Sequence, residues 1–157
     1  MTEEQKKPSW YDEMKELLTD PVRQHLTWNG RTTDWFLEEQ VRMVNTHSIT
    51  FGITLSTPAG MITGQLISAK EYFKLYAESF SASFPGDTKE SIREFYERYG
   101  QQPEAKEDEE EMPYQFLHLK GARLCTPSGM TPTGEGLLWR GTIASVSGFS
   151  LGELIKS

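Results

Sequence analysis

Residues 49–68 read ITFGITLSTPAGMITGQLIS, and this stretch decides the fold. Apolar and polar side chains alternate through residues 49–56, which is typical of a strand buried on one face. Residues 61–67 form a return strand that places Ile62, Gly64 and Leu66 on one face. Residues 58–60, Pro-Ala-Gly, lie between the two runs and favour a tight turn. The stretch therefore predicts an antiparallel β-hairpin.

Helical patterns flank this hairpin on both sides. Before it, Thr33 is a candidate cap for a helix with a broad apolar face that ends near Asn45. After it, Ser68 and Glu71 have the spacing of a capping box. The helix that they begin carries an aromatic stripe at steps of three and four residues, which we expect to lie in the core. Its members are Tyr72, Phe73, Tyr76, Phe80 and Phe84.

A further helix is predicted from Asp87, where the spacing to Glu90 repeats the capping box, to Gly100. Residues 104–112 then carry six acidic side chains against one lysine and lie between two prolines. Such a block repels itself, so we expect a mobile acidic linker within the domain.

The C-terminal part returns to β structure. Strand patterns cover residues 114–124 and 137–146, and a bend at Gly148 leads to a last strand near the end of the chain. Residues 126–136 between them are rich in Gly, Pro, Ser and Thr, so we expect a loop without structure of its own.

The domain organisation follows from these patterns. Residues 1–30 form an arm in which Ser9 can cap a short helix that ends at Pro21. Residues 31–157 form one α+β domain. The sequence predicts a small, strongly bent antiparallel sheet or barrel of about five strands, with an N-terminal helix and inserted helices packed on it.

Composition excludes several classes of protein. The chain has 157 residues, of which 36% are hydrophobic, enough for a core. No apolar run approaches the roughly 20 residues of a membrane span, and the N-terminus lacks the apolar stretch of a secretory signal. A net charge of −7 argues against broad affinity for nucleic acid. We therefore expect a cytoplasmic protein that binds no membrane and is unlikely to bind nucleic acid.

The cysteine, histidine, glycine and serine residues show no catalytic or metal-binding pattern. The single cysteine, Cys125, permits no internal disulfide and fits no zinc spacing. None of the three histidines has helical spacing to another ligand, and His118 alternates with Leu117 and Leu119, which suggests a surface or interface position. Phosphate-binding glycine motifs and a nucleophile elbow are absent. We expect no enzyme activity, no catalytic residue, no metal and no cofactor.

Three stretches resemble the gas vesicle accessory protein U (GvpU) family. In that family a hairpin ends in I-S-A/G-K-x-Y-F, and the motifs F-I/L-H-L-K and W-R-G-x-I-A-x-V-x-G-F-x-L-G follow in that order. They stand here at residues 67–73, 116–120 and 139–152. The resemblance covers most of residues 33–156, and residues 1–30 lie outside it. It implies a non-enzymatic accessory protein of bacterial gas vesicles, associated with vesicle assembly or with vesicle clustering in the cytoplasm.

A weaker resemblance concerns the fold alone. The helix, the bent strands and the aromatic strand before Thr142 resemble an Sm-like small β-barrel that is interrupted by a helical insert. An Sm RNA pocket needs an acidic-aromatic-Asn turn, and this chain has Ser68, Ala69 and Lys70 there. The pattern of that pocket is therefore absent. An Sm-like RNA-binding regulator is kept as the alternative to the gas vesicle function because of the resemblance in fold alone.

The expected mode of action is contact with other proteins, namely gas vesicle shell or accessory proteins and further copies of this chain in a homo-oligomer. A last strand close to the C-terminus is a place for self-association by strand addition. Whether the protein bridges vesicles as a scaffold or binds the apolar shell protein as a chaperone stays open. The candidate protein-binding residues are Phe149, Leu151, Ile155, Trp139 and Arg140.

Overall fold

The computed structural model describes residues 33–101 and 113–154. The predicted N-terminal arm, the acidic linker at 104–112 and Ile155 lie outside the described residues. The helices are α1 (Trp35–His47), α2 (Ala69–Ser81) and α3 (Gly86–Glu97), the last continued by a 3-10 turn at Arg98–Gly100. The strands are β1 (Phe51–Thr57), β2 (Gly60–Ile67), β3 (Phe116–Thr126), β4 (Gly129–Thr131), β5 (Leu137–Thr142) and β6 (Gly148–Leu151).

The strands form one antiparallel sheet in the order β4-β3-β2-β1-β6, and β5 also pairs with β3. The predicted α+β class is confirmed, with helices packed on the sheet. The sheet is open, since β6 pairs with β1 and no described strand joins it to β4 or β5. A closed barrel is therefore not formed.

The predicted hairpin is β1 and β2. Their register runs from Phe51 opposite Leu66 to Thr57 opposite Gly60, so the two-residue turn is Pro58-Ala59. The Thr57 hydroxyl donates to the Gly60 carbonyl at 2.8 Å and closes the turn. The prediction from alternation is confirmed because each run has one face in the core.

The number of strands was underestimated because the Gly/Pro-rich loop contains one. Gly129–Thr131 turns back on β3, with Gly129 opposite Thr126. Gly129 has a φ of 129°, a conformation that residues with a side chain rarely adopt. The prediction that residues 126–136 lack structure is wrong at this point, since turn-forming residues also build a tight hairpin.

Helix α1 covers one face of the sheet and closes the hydrophobic core. The side chain that caps it is Asp34, whose carboxylate accepts hydrogen bonds from the amides of Phe36 and Leu37 at 2.9 and 3.2 Å. The predicted cap at Thr33 is wrong by one residue. The core under α1 contains Leu37, Val41, Val44, Ile53, Leu55, Ile62, Leu66, Leu117, Leu119, Ala122, Ile143 and Val146.

The inserted helices α2 and α3 pack on each other, and α2 packs over β3 and β5. Ser68 caps α2 as predicted and accepts from the Glu71 amide at 3.1 Å. The Glu71 carboxylate, however, binds Lys120 at 2.7 Å, so the capping box closes on the serine side alone. The predicted cap of α3 is also wrong, because Asp87 lies inside the helix and Pro85 occupies the cap position.

Two irregularities in β3 bend the sheet. Its register against β2 shifts between Thr63 and Gln65, and its register against β5 shifts between Leu119 and Ala122. A Cβ at Gly64 would meet the Ala122 backbone at 3.0 Å, so this close approach favours glycine. Such bulges increase the bend and twist of a strand. They are the local features that favour the bent sheet that the sequence predicts.

The chain after β6 crosses the face of the sheet opposite α1. The Leu154 amide donates to the Thr63 hydroxyl at 2.8 Å, the two hydroxyls of Thr63 and Thr54 lie 3.0 Å apart, and Thr54 donates to the Gly152 carbonyl at 2.8 Å. Both threonines are buried. This relay therefore satisfies buried hydroxyls and fixes the C-terminal segment on β1 and β2.

Candidate protein-interaction surfaces

Strand β6 is an edge strand. It pairs with β1, where Leu151 lies opposite Ile53 and Phe149 opposite Leu55, and no strand in the described parts of the chain pairs with its outer edge. Its apolar side chains point to the same face as the core, yet Leu151 is 70% exposed. An unpaired edge with an exposed apolar side chain is a place where another strand can add.

The N-terminal end of α1 extends this apolar surface. The rings of Phe36 and Phe149 lie 5.7 Å apart, and the rings of Trp35 and Phe36 are separated by the same distance. Trp35 is 54% exposed, and Phe36 is about as exposed as Trp35. We call Trp35, Phe36, Phe149 and Leu151 the edge patch. Trp35, Phe36 and Leu151 are exposed and Phe149 is half-buried, and neighbouring apolar side chains that reach solvent are typical of interaction sites.

The chain leaves the edge of β6 immediately after the strand. Gly152 has a φ of 97°, and its amide donates to the Gly52 carbonyl at 2.8 Å. The next residues cross β1 towards β2, as the bond from Leu154 to Thr63 shows. The described C-terminal residues therefore cover the face of the sheet and leave the outer edge of β6 uncovered.

The predicted site residues do not form one surface. Phe149 and Leu151 lie on β6, whereas Trp139 and Arg140 lie on β5, with β3, β2 and β1 between the two strands. Trp139 lies opposite Leu119 and packs against the core. Its ring covers Gly141 so closely that a Cβ there would overlap it. Trp139 is therefore a packing residue, and Arg140 points to the opposite face.

That opposite face carries the aromatic stripe of α2. The stripe was expected in the core, and this expectation is wrong for most of it: Tyr72 is buried, Phe73 and Tyr76 are half-buried, and Phe80 is exposed. The stripe packs against α3, none of whose own residues is fully buried. The ring centroids of Tyr76 and Tyr96, for example, lie 5.1 Å apart. The two helices form an aromatic layer that solvent reaches from one side.

His118 lies under this layer. It is 4% exposed, and its ring centroid lies 4.5 Å from that of Tyr72, so the expected surface position is wrong. Its Nε2 atom accepts a hydrogen bond from Arg140 Nε at 3.3 Å, and its buried Nδ1 atom has no hydrogen-bond partner among the described residues. Burial, and secondarily the charge of Arg140, lower the pKa of His118 to about 4. The imidazole is therefore neutral at physiological pH.

Arg140 is held on two sides. Its Nε atom donates to His118, and its guanidinium carbon lies 3.7 Å from the centre of the Phe116 ring, a close cation-π contact. The pairing of His118 and Arg140 follows from their opposite positions in β3 and β5. The alternation of Leu117 and Leu119 was the signal that places His118 on the far face, but the sequence gives no sign of which helix covers it.

Arg140 lines a cavity of about 490 Å³ between the sheet and the helices. The remaining walls are aromatic and come from α2, α3 and the 3-10 turn. They are Tyr72, Phe73, Tyr76, Phe95, Tyr96 and Tyr99. Burial raises the pKa of Tyr72, and the nearby charge of Arg140 acts in the opposite direction.

Within residues 33–101 and 113–154, no group of three or more His, Cys, Asp or Glu side chains is placed to hold a metal ion. No helix in the same ranges is long and apolar enough to span a membrane. What the described structure presents instead are two apolar surfaces at opposite ends of the sheet.

Fold and surfaces together define an α+β domain with an open antiparallel sheet, an apolar edge strand and an aromatic helical layer. The family model described as "Gas vesicle protein GvpU-like" matches residues 34–154, and the chain therefore belongs to the GvpU-like family. The family resemblance drawn from the sequence motifs is confirmed, and the protein is gas vesicle-related. No curated protein and no solved structure gives a significant match to the chain.

Proposed function

We propose that this protein is a non-enzymatic gas vesicle accessory protein that acts through protein-protein contacts in vesicle assembly or in vesicle clustering. The contact surface is the edge of β6 together with the edge patch, and the partner is a second copy of the chain. Ile155, the remaining apolar candidate of this region, lies outside the described residues, so the surface is argued from the other residues alone.

One observation carries this proposal. Leu151 is 70% exposed on an edge strand whose outer backbone groups have no strand partner among the described residues, and the chain turns away from it at Gly152. A strand of a second copy can pair with these backbone groups, while Phe36, Phe149 and Leu151 provide apolar area to bury. Membership of a gas vesicle family supports vesicles as the place where this contact is used.

Phe149 serves both this surface and the core. It packs against the core cluster and against Phe36, so its truncation would weaken the fold as well as the contact. Leu151, which is much more exposed, separates the two effects. Leu137 offers a matched control, since it is an exposed leucine on β5, at the other end of the sheet.

The decisive experiment compares Leu151→Asp with Leu137→Asp in sedimentation velocity over a dilution series and in a clustering assay with isolated vesicles. We expect Leu151→Asp to remain folded, with a melting temperature close to that of the unmodified protein, and to lose self-association and clustering. Leu137→Asp should retain both. Unchanged association in Leu151→Asp, or equal losses in both variants, would contradict the proposal.

The same measurements separate the two modes of action. A scaffold that bridges vesicles must be multivalent, so clustering should disappear together with self-association. A chaperone that binds the apolar shell protein can act as a monomer. In that case Leu151→Asp would lose self-association and keep its binding to the shell protein.

A further inference from the structure

We propose that the cavity around Arg140 is a second binding site, which takes a carboxylate attached to an apolar or aromatic group, as in an acidic peptide segment of a partner protein. The cavity lies over β3 and β5, at the other end of the sheet from β6. The inference therefore goes beyond the edge contact and stands independently of it.

The first argument is that the guanidinium of Arg140 is held in place before any ligand binds. The Nε atom donates to His118 at 3.3 Å, and the flat face rests on Phe116 at 3.7 Å. These contacts use one donor and one face, and they leave the Nη donors for a ligand. An arginine that is fixed in advance loses less side-chain entropy when it binds a carboxylate.

His118 can perform this role because it is buried and neutral. A neutral imidazole has one acceptor nitrogen, and the donation from Arg140 assigns Nε2 as that acceptor. A protonated imidazole would lose the acceptor and would repel the guanidinium. His118 is therefore a positioning residue that directs Arg140.

The second argument is charge complementarity. The chain carries 23 acidic residues, yet no carboxylate in the described parts of the chain lies within ion-pair distance of Arg140. Lys120, a further cationic side chain on β3, is already paired with Glu71 at 2.7 Å. Arg140 thus presents a positive charge to the cavity, and the described residues do not neutralise that charge. The carboxylate of a ligand would form an ion pair with Arg140.

The third argument is the shape and chemistry of the walls. A volume of about 490 Å³ lies within the range of sites that bind small groups, and six aromatic side chains surround the single cation. Phe95 and Tyr99 are exposed at its rim, and Tyr99 is 60% exposed. Aromatic walls favour an apolar or aromatic neighbour of the carboxylate. A single cation on a chain of net charge −7 does not favour a polyphosphate or a nucleic acid.

The test uses the full-length protein and two probes of equal size, N-acetyl-phenylalanine and its uncharged amide, followed by amide chemical shifts in NMR titrations. We expect saturable shifts confined to α2, α3 and β5. The carboxylate should bind about tenfold more tightly than the amide, the preference that one charge-assisted contact provides. Equal binding of the two probes, or no saturable binding by either, would overturn the proposal.

Three variants assign the preference to particular residues. Arg140→Gln should remove the tenfold difference between the probes. Arg123→Gln should retain it, since that arginine donates to the Gly134 carbonyl beside a different cavity. Phe95→Ala removes an aromatic ring from the cavity wall and leaves Arg140 unchanged. It should weaken the binding of both probes by the same factor. If Arg123→Gln and Arg140→Gln have the same effect, the charge of Arg140 is not what selects the ligand and the proposal fails.

The result of the titration at the Arg140 cavity can be distinguished from the result of the self-association experiment at β6. Leu151→Asp should leave the titration with N-acetyl-phenylalanine unchanged, because β1, β2 and β3 separate β6 from β5. Conversely, Arg140→Gln should leave self-association unchanged. Each proposal can therefore fail while the other holds.

Discussion

The two faces of the sheet are covered by different kinds of side chain. The face under α1 is aliphatic, and Leu37, Leu55 and Leu119 are completely buried there. The face under α2 is aromatic and reaches solvent, and His118 is one of the polar side chains buried there. The aliphatic face provides stability, whereas the aromatic face combines moderate burial with groups that can bind a partner.

This difference shows that a stripe of large apolar side chains does not by itself locate the core. Aliphatic side chains pack to high density and leave no polar atoms to satisfy. Tyrosine rings bury apolar area while their hydroxyls remain at the surface. The stripe of α2 contains two such rings, Tyr72 and Tyr76, and lies where the second helix α3 has no buried residue.

The largest expected effect tests this contrast directly by truncating one side chain on each face. Leu55→Ala should lower the free energy of unfolding by about 2 to 5 kcal/mol, because it removes a fully buried side chain and leaves a cavity. Phe80→Ala removes more atoms but from an exposed position, so the loss should be below about 1.5 kcal/mol. Chemical denaturation measures both. Equal losses would show that the two faces contribute alike.

The next effect concerns the pH dependence of the aromatic face. The pKa of His118 is about 4 in the folded protein and about 6.5 in the unfolded chain. The unfolded chain therefore binds a proton first, and stability falls as the pH drops from 6.5 to 4, by up to about 3 kcal/mol. Below pH 4 this group contributes no further change.

The variant His118→Gln retains a hydrogen-bond acceptor and removes the titration. Comparing its unfolding free energy with that of the unmodified protein from pH 7.5 to 4 should show a shallower decline in the variant. Parallel curves would contradict the pKa shift. Such a result would also weaken the assignment of His118 as a neutral acceptor for Arg140.

A smaller effect is expected where the C-terminal segment crosses the sheet. Thr63→Val keeps the shape of the side chain and removes the hydroxyl that accepts from the Leu154 amide and contacts Thr54. The loss should be about 1 to 3 kcal/mol, since buried polar groups are left unsatisfied. Thr142→Val, an exposed threonine on β5, should change stability by less than about 0.5 kcal/mol. A loss in Thr142→Val as large as in Thr63→Val would contradict the relay.

The smallest effect tests the end of α1 on the aliphatic side. Asp34→Ala should cost about 1 kcal/mol because it removes the acceptor for the amides of Phe36 and Leu37. Asp34→Asn should retain most of that stability, and Thr33→Ala should have little effect. Thermal unfolding of the three variants distinguishes the two candidate caps. A loss in Thr33→Ala alone would restore the cap that the sequence suggested.

Local features of the fold could be predicted from the sequence because they depend on neighbouring residues. The hairpin follows from alternation around residues 58–60, and the cap of α2 follows from Ser68. The strand β4 was missed because glycine and proline mark a tight hairpin and a loop in the same way. The expected edge position of β6 agrees with the strand order of the described residues.

The candidate site could be predicted only in part, since strand order is a long-range property. The five site residues were close in sequence, yet β5 and β6 lie at opposite ends of the sheet. Likewise, Arg140 faces His118 because β5 pairs with β3 in a register that contains a bulge. Alternation assigns each side chain to a face, but it does not specify which element covers that face.

The position of β6 also has a consequence for the order in which the protein forms. Thr54 and Gly152, which bond across β1 and the end of β6, are 98 residues apart in the chain. During synthesis on the ribosome, β1 and β2 can pair as soon as they emerge, while the outer edge of β1 stays unpaired until β6 has been translated. A nascent chain therefore carries an open β1 edge until β6 emerges. The β6 strand of a neighbouring nascent or finished chain could fill that edge, which would link the two copies by strand exchange.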